Sequence, residues 1–593
     1  MLSIKNVTQN FIIFLKRYQA AILSGILTGT SYIPFFPWAF LFNYIPLWWY
    51  WSKRAESRKQ ILWSGWLCQF IFNLIGFHWV YHTAHEFGHI PTPLSLIVLI
   101  LFASLAHLYV PLVGFLFFEL KKMSTNGNST EKSKQKISFS LILSLLGLWA
   151  LAEIYWPSIF QWHMGYTFLW AKLPAFHLAD VIGFQGLSYV LLIFNGFLLW
   201  WFSDCKKLNS SNTNSFWIFD IFKLKGFNWF KDRQTLKGIS ISIVAFVFLN
   251  LAGWFHGLYW NIKRSDQILN FLPIQANIGN SERIMAERGY GYQDFIVQKF
   301  ITMSKQALAE HPDSQILVWP ESAIPDYLDP EFSARHRPQL IQNFLKESNR
   351  FLITGAYSKE TKKNSKLSKA LNSDQRKDSN SDASENNDEE TIYNALFIFN
   401  PQGQLLAPAY KKKHLLAFGE YTPFADWFPK LNEISPSGKG FARGPGAQSL
   451  TLSDPALKGL TLRVAPQICY ESLYPEYTRQ GVLEGAQILV NVTNDSWFGY
   501  HSEPYQNLSM TFARAIENRR PLLRVTNTGF TSAIEASGKI LATSPLYKEW
   551  SDNIPIHFDE NPPLTFYTQF GGFLPLLILL ITLLGIKSLR RIN

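Results

Sequence analysis

The hydrophobic positions divide the chain into two regions of different periodicity. In the N-terminal region, long apolar runs alternate with short polar loops, and one more apolar run lies near the C-terminus. Because a helix needs about 20 apolar residues to cross a bilayer, this pattern predicts seven N-terminal spans and one C-terminal span. The predicted spans cover residues 18–38, 38–52, 61–81, 93–119, 138–157, 186–203, 239–260 and 565–586.

Between residues 265 and 560 the apolar runs become short and rich in β-branched residues, as in "SQILVWP" and "AQILVNVTND". They alternate with segments of helical periodicity at 292–310, 335–348 and 505–519. Such alternation predicts an α/β domain. A polar stretch at 359–390 interrupts it, and its composition predicts a disordered loop between two strands. The insertion is either inert or a regulatory or partner-binding segment.

The positive charges determine how we orient these regions. The formal net charge of +12 could suggest nucleic-acid binding. However, Lys and Arg are concentrated in alternate loops, such as "SKRAESRK" and "EKSKQK", whereas "HTAHEFGHIPTP" has neither. This distribution is typical of membrane topology, so we expect a cytoplasmic N-terminus, an α/β domain on the outside and no nucleic-acid partner.

Three parts are therefore predicted. Residues 1–264 form a membrane domain of about seven transmembrane helices, and residues 265–560 form the outer α/β domain, which contains the insertion. Residues 561–593 form a transmembrane helix and a cytoplasmic tail.

Motifs for metals and cofactors are scarce. The three cysteines, Cys68, Cys205 and Cys469, are widely spaced and odd in number, so they provide neither a disulfide framework nor a CxxC pair. There is no Gly-rich phosphate loop, EF-hand or HExxH motif, so no cofactor and no metal are expected. The spacing of His78, His82, His85 and His89 would suit a metal, but the group lies at a span end, where we favour an interfacial belt.

Three predicted strands of the α/β domain end in chemically reactive turns. "SQILVWPESAIP" places Glu321 after its strand, "LLAPAYKKKHLLAFGEYTPF" provides Lys412 and Glu420, and "LRVAPQICYE" ends at Cys469. In open α/β sheets, ligands bind outside the carboxyl ends of strands, so these side chains are candidates for one site. Taken singly, each has an ordinary alternative: a core cysteine, a helix cap, and a solvated lysine run.

The residue types suit nucleophilic catalysis. A cysteine is a nucleophile as the thiolate, and a nearby carboxylate can accept the thiol proton. A lysine ammonium can stabilise both the thiolate and the oxyanion of a tetrahedral intermediate. We expect a helix beginning near Ser472 to add the dipoles of its N-terminal N–H groups.

The three motifs together resemble those of the nitrilase superfamily. "WPESAIP", "YKKKHLLAFGEYTPF" and "QICYESLYPE" match its Glu, Lys and Cys motifs. With the flanking spans and "NVTNDSWFGYHSEPYQNL", the chain resembles the membrane branch of that superfamily, the apolipoprotein N-acyltransferases. The resemblance implies a polytopic α-helical membrane domain and a nitrilase-like αββα sandwich. It also implies the bacterial inner membrane, with the catalytic domain facing the periplasm.

The resemblance assigns roles to residues. It makes Cys469 the nucleophile that carries an acyl chain as a thioester, Glu321 the general base and Lys412 the oxyanion-stabilising lysine, because Tyr410 fixes the register of a Tyr-x-Lys-x-His-Leu pattern. The chain differs from many members in having Ile284 where they have tryptophan. Further active-site positions of the family correspond to Glu420, Tyr470 and Glu471.

The implied reaction is a ping-pong acyl transfer. A phospholipid in the bilayer donates a chain to the cysteine, and the α-amino group of a diacylglyceryl-modified apolipoprotein N-terminus accepts it. We expect a monomer. One alternative is a membrane-tethered amidase that acts on a small amide. Another is a transporter or receptor, which would be expected to have charges deep in its spans, whereas Glu153 and Asp180 lie near span ends or outside.

Overall fold

The structure is a computed structural model of the 593-residue chain. It describes residues 4–591 apart from 89, 125–136, 204–232, 264, 280–281, 283–284, 286–290, 361–389, 426, 431–439 and 458. The predicted disordered insertion, except for 359–360 and 390, therefore lies outside the described residues. So do Ile284, His89 and Cys205.

The chain forms two compact units, which we call the helical unit and the sheet unit. The helical unit comprises Met1–Lys263, Phe498–Glu517 and Thr565–Asn593. The sheet unit comprises Arg264–Trp497 and Asn518–Leu564. The segment 498–517, which lies within the sheet-rich region in sequence, thus belongs to the helical unit. The sequence-based boundaries at 264/265 and 560/561 stay predictions.

The helical unit is built from apolar helices, as the long hydrophobic runs predict. Many of its large apolar side chains, such as Phe248 and Leu576, are more than half exposed, an arrangement expected of helices that face lipid. The described α-helices are Ile4–Gly29, Ile45–Lys53, Arg58–Gly76, Trp79–His82, Thr92–Leu105, Tyr109–Ser124, Phe139–Tyr155, Tyr166–Trp170, Ala179–Phe202, Arg233–Ile262, Glu503–Asn518 (its last residue in the sheet unit), Phe566–Phe570 and Leu574–Arg591.

Within the described ranges, four helical segments are long and apolar enough to cross a membrane. A fifth is present if Arg58–Gly76 and Trp79–Glu86, which meet at a bend of 62°, form one span. Phe139–Tyr155 is a shorter apolar helix. The number of N-terminal spans, seven from the sequence, stays a prediction. The four segments are Thr92–Ser124, Pro174–Phe202, Leu236–Ile262 and Phe566–Leu589.

The first sheet of the sheet unit has seven strands. Its order is β12–β1–β2–β3–β4–β5, and β13 also pairs with β1. Strands β1, β2 and β3 are parallel, whereas β4 and β5 continue the sheet antiparallel. The strands are β1 Gln267–Gln275, β2 Ile316–Val318, β3 Phe351–Glu360, β4 Thr391–Phe399, β5 Tyr410–Lys411, β12 Trp550–Ser551 and β13 Ile554–Phe558.

The second sheet has six strands in the order β11–β10–β9–β8–β7–β6. Its central strands β7, β8 and β9 are parallel and largely buried, as expected of strands that are covered on both faces. The strands are β6 Leu450–Ser453, β7 Thr461–Ile468, β8 Ile488–Thr493, β9 Leu522–Thr526, β10 Ser532–Ile534 and β11 Ile540–Thr543.

Helices cover the first sheet, and the two sheets meet through polar contacts at strand ends. The predicted helices at 292–310 and 335–348 are present as Tyr292–Glu310 and His336–Ser348. They pack on the first sheet around Trp319, whose Nε1 donates to Ser304 Oγ at 3.0 Å. Thr526 Oγ1 of the second sheet donates to Gln275 Oε1 of the first at 3.1 Å. With the helix Pro475–Leu483 beside β7, this confirms the predicted α/β sandwich.

Candidate active site

Glu321 lies in the turn after β2, and this turn passes close to a glycine of the neighbouring strand β3. A Cβ atom at Gly355 would lie only 2.6 Å from Glu321 Cα and from Ser322 N. Ser322 itself has a φ of 49°, in the left-handed region. Strand β3 therefore needs glycine at this position so that the turn can pass. The Glu321 carboxylate is buried, and its Oε2 accepts from the backbone N–H of Asn494 at 3.0 Å.

Lys412, the residue after β5, bridges two carboxylates. Its side chain is buried, and Nζ donates to Glu321 Oε1 at 3.0 Å and to Glu420 Oε1 at 2.8 Å. The Asn394 amide on β4 donates to the same two oxygens, at 2.8 Å each. The structure thus joins Glu321, Lys412, Asn394 and Glu420 into one buried cluster, which we call the carboxylate cluster.

Electrostatics keep the lysine charged. Burial by itself would lower the pKa of Lys412, but Glu321 and Glu420, with a contribution from Cys469, raise that pKa well above its ordinary value. Two carboxylates around one ammonium give the cluster a net negative charge when both are ionised.

Cys469 begins a tight turn rather than an α-helix. It follows β7, has a φ of 52° and is the first residue of the 3-10 turn Cys469–Leu473. The next α-helix begins at Pro475, so the expectation of a helix beginning near Ser472 was wrong. A left-handed conformation is unfavourable for a residue other than glycine and persists only where surrounding contacts hold it. The side chain is buried.

The Cys469 thiol is protonated at neutral pH. Burial, followed by the charge of Glu321, raises the pKa of the thiol, while Lys412 and a hydrogen bond from Thr493 lower it by less. The net result is a pKa well above the ordinary value. A nucleophilic role for this sulfur therefore requires a base that removes the proton, and the charges of Glu321 and Lys412 both act on the thiol.

Glu471 connects the turn of the cysteine to the segment after Lys412. Its Oε1 accepts from the Lys413 N–H at 2.6 Å and from the His414 N–H at 3.3 Å. Its Oε2 accepts from the Ile468 N–H at 2.9 Å and from the Tyr410 hydroxyl at 2.6 Å. The carboxylate is fully buried, and burial raises its pKa against these hydrogen bonds. Its contacts are those of a residue that positions the other two motifs.

The six candidate residues differ in how closely the structure joins them. Glu321, Lys412 and Glu420 are in direct contact, and Cys469 is coupled to the first two through charge. Tyr470 is buried with its ring centroid 5.3 Å from that of Tyr474.

Sequence reasoning missed Asn394 and the backbone N–H of Asn494. The signal for Asn394 was present, because it is the one amide in the otherwise apolar and aromatic run "TIYNALFIF". The N–H of Asn494 had no signal, because every residue except proline has such a group.

The predicted histidine group lies in the helical unit. His82 and His501 have ring centroids 4.0 Å apart, and those of His78 and His501 are 5.8 Å apart. His85 Nδ1 lies 3.0 Å from the Ile90 carbonyl oxygen. Among the residues that the structure describes, no group of three or more His, Cys, Asp or Glu side chains is arranged to hold a metal ion.

Comparison with known proteins agrees with both parts of this architecture. Residues 291–551 match the family model for carbon-nitrogen hydrolase, and residues 24–197 match that for the apolipoprotein N-acyltransferase N-terminal domain. An apolipoprotein N-acyltransferase of Bdellovibrio bacteriovorus is 42% identical over 95% of this chain and 92% of its own. The chain belongs to the apolipoprotein N-acyltransferase family.

Other members of the apolipoprotein N-acyltransferase family are more distant. The one from Geobacter metallireducens is 28% identical over 83% of this chain and 80% of its own. A solved carbon-nitrogen hydrolase from Helicobacter pylori is similar over 49% of this chain and 89% of its own, with 16% identity and a TM-score of 0.33. The bacterial relatives and the apolar helices together make this a multi-pass membrane protein.

Proposed function

We propose that this enzyme moves an acyl chain from a membrane phospholipid to Cys469, and from there to the α-amino group of a diacylglyceryl-modified apolipoprotein. The observation that supports this most directly is the carboxylate cluster beside a buried thiol, in a chain of the apolipoprotein N-acyltransferase family. A base, a permanent cation and a nucleophile are the groups that acyl transfer through a thioester needs.

In the first half-reaction, the Cys469 sulfur attacks the ester carbonyl carbon of the phospholipid. Glu321 takes the thiol proton as the S–C bond forms, and the Lys412 ammonium stabilises the oxyanion. When the C–O bond breaks, Glu321 gives the proton to the departing lysophospholipid oxygen. While Glu321 holds the proton, Lys412 keeps Glu420 as its ion-pair partner.

In the second half-reaction, the lipoprotein amine attacks the thioester carbon. A C–N bond forms and the C–S bond breaks, while Glu321 accepts a proton from the amine and returns it to the sulfur. The product is an amide, and the enzyme regains its thiol. Burial of the site limits access of water, which would otherwise hydrolyse the thioester.

An exposed aromatic loop in the sheet unit supports a lipid substrate rather than a small soluble amide. The segment that carries Glu420 also carries four aromatic side chains that are each more than half exposed. Exposed apolar groups of this size mark a surface that meets a membrane or an apolar ligand. These residues, which we call the aromatic loop, are Phe418, Phe424, Trp427 and Phe428.

We also propose that the sheet unit faces the periplasm from the bacterial inner membrane, and that the enzyme acts as a monomer. The alternation of Lys- and Arg-rich loops supports this orientation. Both lipid substrates then lie in the leaflet next to the site. A cysteine introduced at the exposed Asp313 should react with a membrane-impermeant maleimide in spheroplasts. Reaction only after lysis would contradict this orientation.

The acyl-enzyme itself provides the test. The detergent-solubilised protein is incubated with phospholipid labelled in the acyl chain, and the modified residue is mapped by mass spectrometry. We expect a hydroxylamine-sensitive label on Cys469, none in Cys469→Ser, and normal labelling in Cys68→Ser, which changes a buried cysteine of the helical unit. An unlabelled enzyme that releases ammonia from soluble amides would favour the amidase alternative.

A further inference from the structure

Polar side chains lie side by side in the middle of the second sheet. In the registers of the parallel strands, Gln467 of β7 is paired with Asn491 of β8, and Asn491 with Arg524 of β9. Asn491 and Arg524 are fully buried, although their strands are otherwise almost entirely apolar. Burying a guanidinium is costly unless its hydrogen bonds are made, so its contacts require an explanation.

The Arg524 guanidinium divides its hydrogen bonds between two partners. Its Nη1 donates to Asn491 Oδ1 at 2.7 Å, and its Nη2 donates to Asp495 Oδ2 at 2.7 Å. These are short, charge-directed contacts in which the planar fork fixes both partners at once. The Asp495 carboxylate is also buried, and a Cβ atom at Gly529 would lie 2.1 Å from its Oδ2.

Each of these two partners of Arg524 makes further hydrogen bonds near Cys469. Asn491 Nδ2 donates to the carbonyl oxygen of Cys469 at 3.2 Å and to that of Gln467 at 3.3 Å. These carbonyls flank the point at which the chain leaves β7 for the left-handed conformation of Cys469. On the other side, Asp495 Oδ1 accepts from the Thr493 hydroxyl at 3.1 Å. Arg524 is therefore connected to the turn of Cys469 through Asn491, which is the first route. It is connected to the Thr493 hydroxyl through Asp495, which is the second route.

We propose that Arg524 is a positioning residue for the nucleophile: through Asn491 it holds the backbone of Cys469 in its left-handed turn, and through Asp495 it orients the Thr493 hydroxyl beside the thiol. This role rests on the proposed function of Cys469 as the acyl carrier. It assigns a role to a buried charge whose described hydrogen bonds go to Asn491 and Asp495.

The electrostatics of the thiol agree with the second route. The charge of Asp495 raises the pKa of Cys469, and the Thr493 hydroxyl lowers it. Arg524 opposes the first effect by pairing with Asp495. Because the Thr493 hydroxyl has a single proton, the pull of Asp495 on that proton also determines how well Thr493 can support the thiolate.

Arg524→Lys tests the proposal, with Arg520→Lys as its matched control. Both arginines are buried in the sheet unit, but Arg520 donates to backbone carbonyls, including those of Ala486 and Pro562, and the contacts described for it do not lead to the site. A lysine keeps the charge and cannot hold two partners as a fork does. Both variants are assayed as full-length enzyme for melting temperature, single-turnover acyl-thioester formation, and alkylation of Cys469 by iodoacetamide at pH 9.

For Arg524→Lys we expect acyl-thioester formation to slow by about 10- to 100-fold. Alkylation should also slow, by about tenfold for each unit by which the pKa of the thiol rises. Arg520→Lys should lower the melting temperature comparably and leave both rates near those of the wild type. If Arg524 had a merely structural role, Cys469 would be alkylated faster in Arg524→Lys, because a loosened turn would expose the thiol. Unchanged or faster alkylation in Arg524→Lys, or equal rate losses in both variants, would overturn the proposal.

Asp495→Asn tests the second route by removing a charge. It removes the negative charge and keeps one oxygen, which can still accept from the Thr493 hydroxyl, so alkylation of Cys469 should become faster. Slower or unchanged alkylation would contradict the second route. Alkylation needs no lipid, so these measurements test Arg524 even if wild-type Cys469 takes no acyl chain. That result would count against the proposed function alone.

Discussion

The ammonium nitrogen of Lys412 lies 3.0 Å from Oε1 of Glu321, and both side chains are buried. Buried opposite charges stabilise each other strongly, and removal of the lysine would leave buried carboxylates without their cation. Glu420, which holds the same ammonium at 2.8 Å, makes this a three-charge arrangement. The lysine is thus held in one place and one charge state before any substrate arrives.

Lys412→Ala should stop acylation while its neighbour Lys411→Ala should not. Loss of an oxyanion-stabilising group typically costs about 100- to 1,000-fold in rate. The two carboxylates left behind should also destabilise the fold by about 3–5 kcal/mol. Lys411 instead pairs with Glu360 near the surface and lies over the Tyr393 ring. Single-turnover labelling with phospholipid measures both variants. Equal losses would show that the assignment to Lys412 is wrong.

Glu471→Ala should disorganise the site by removing an acceptor. Backbone N–H groups of Ile468 and Lys413, and the Tyr410 hydroxyl, would lose their partner. We expect a loss of about 3 kcal/mol in unfolding free energy, seen as a lower melting temperature, together with slower acylation. Glu476→Ala is the control, because that carboxylate pairs with Arg479 and is exposed. An unchanged melting temperature in Glu471→Ala would rule out the connecting role.

Polar substitutions in the aromatic loop should affect the use of lipid more than the chemistry. For Phe424→Ser combined with Trp427→Ser we expect a higher KM for phospholipid in vesicles and an unchanged rate of Cys469 alkylation, because both side chains are exposed rather than packed around the carboxylate cluster. Ile540→Ser, at an exposed position of β11, is the control. A normal KM in the double variant would remove the loop from lipid recognition.

His414 should make the sheet unit sensitive to acid. Burial, with the charges of Arg443 and Lys413, lowers the pKa of this histidine from 6.5 to about 4. Between pH 6.5 and about 4, the unfolded chain therefore binds more protons at this residue than the folded chain does. The free energy of unfolding consequently decreases as the pH falls through this interval.

His414→Phe should weaken that loss, measured as melting temperature against pH. It keeps a ring that can stack on Tyr474, whose centroid lies 4.1 Å from that of His414. His557→Gln, at an exposed position of β13, should retain the wild-type dependence. If the melting temperature of His414→Phe fell in acid as much as that of the wild type, the acid sensitivity would come from other groups.

Replacing residues 361–390 with an Asn-Gly turn should leave turnover near normal. Strands β3 and β4 pair antiparallel up to Glu360 and Thr391, so the two ends to be joined are already adjacent. A two-residue turn of this type connects such strands. Turnover is measured with labelled phospholipid and a lipopeptide acceptor. Complete loss of activity would mean that the insertion takes part in the reaction.

The sequence by itself determined the elements of this protein and the chemistry that they carry. The periodicity of apolar residues placed the helices at 292–310 and 335–348 within one residue of their observed starts. The motifs around Glu321, Lys412 and Cys469 provided a candidate nucleophile, carboxylate and cation. These signals are local, because periodicity and turn chemistry depend on neighbouring residues.

Only the tertiary structure decided how those groups are connected. Asn394 and the Asn494 N–H reach Glu321 from parts of the chain that are distant in sequence, and Arg524 reaches Cys469 through Asn491. Burial also decides the state of the thiol, because desolvation raises the pKa of Cys469 more than Lys412 lowers it. Hydrogen-bond partners and desolvation depend on which strands become neighbours and what covers them, and that information is not contained in any short stretch of sequence.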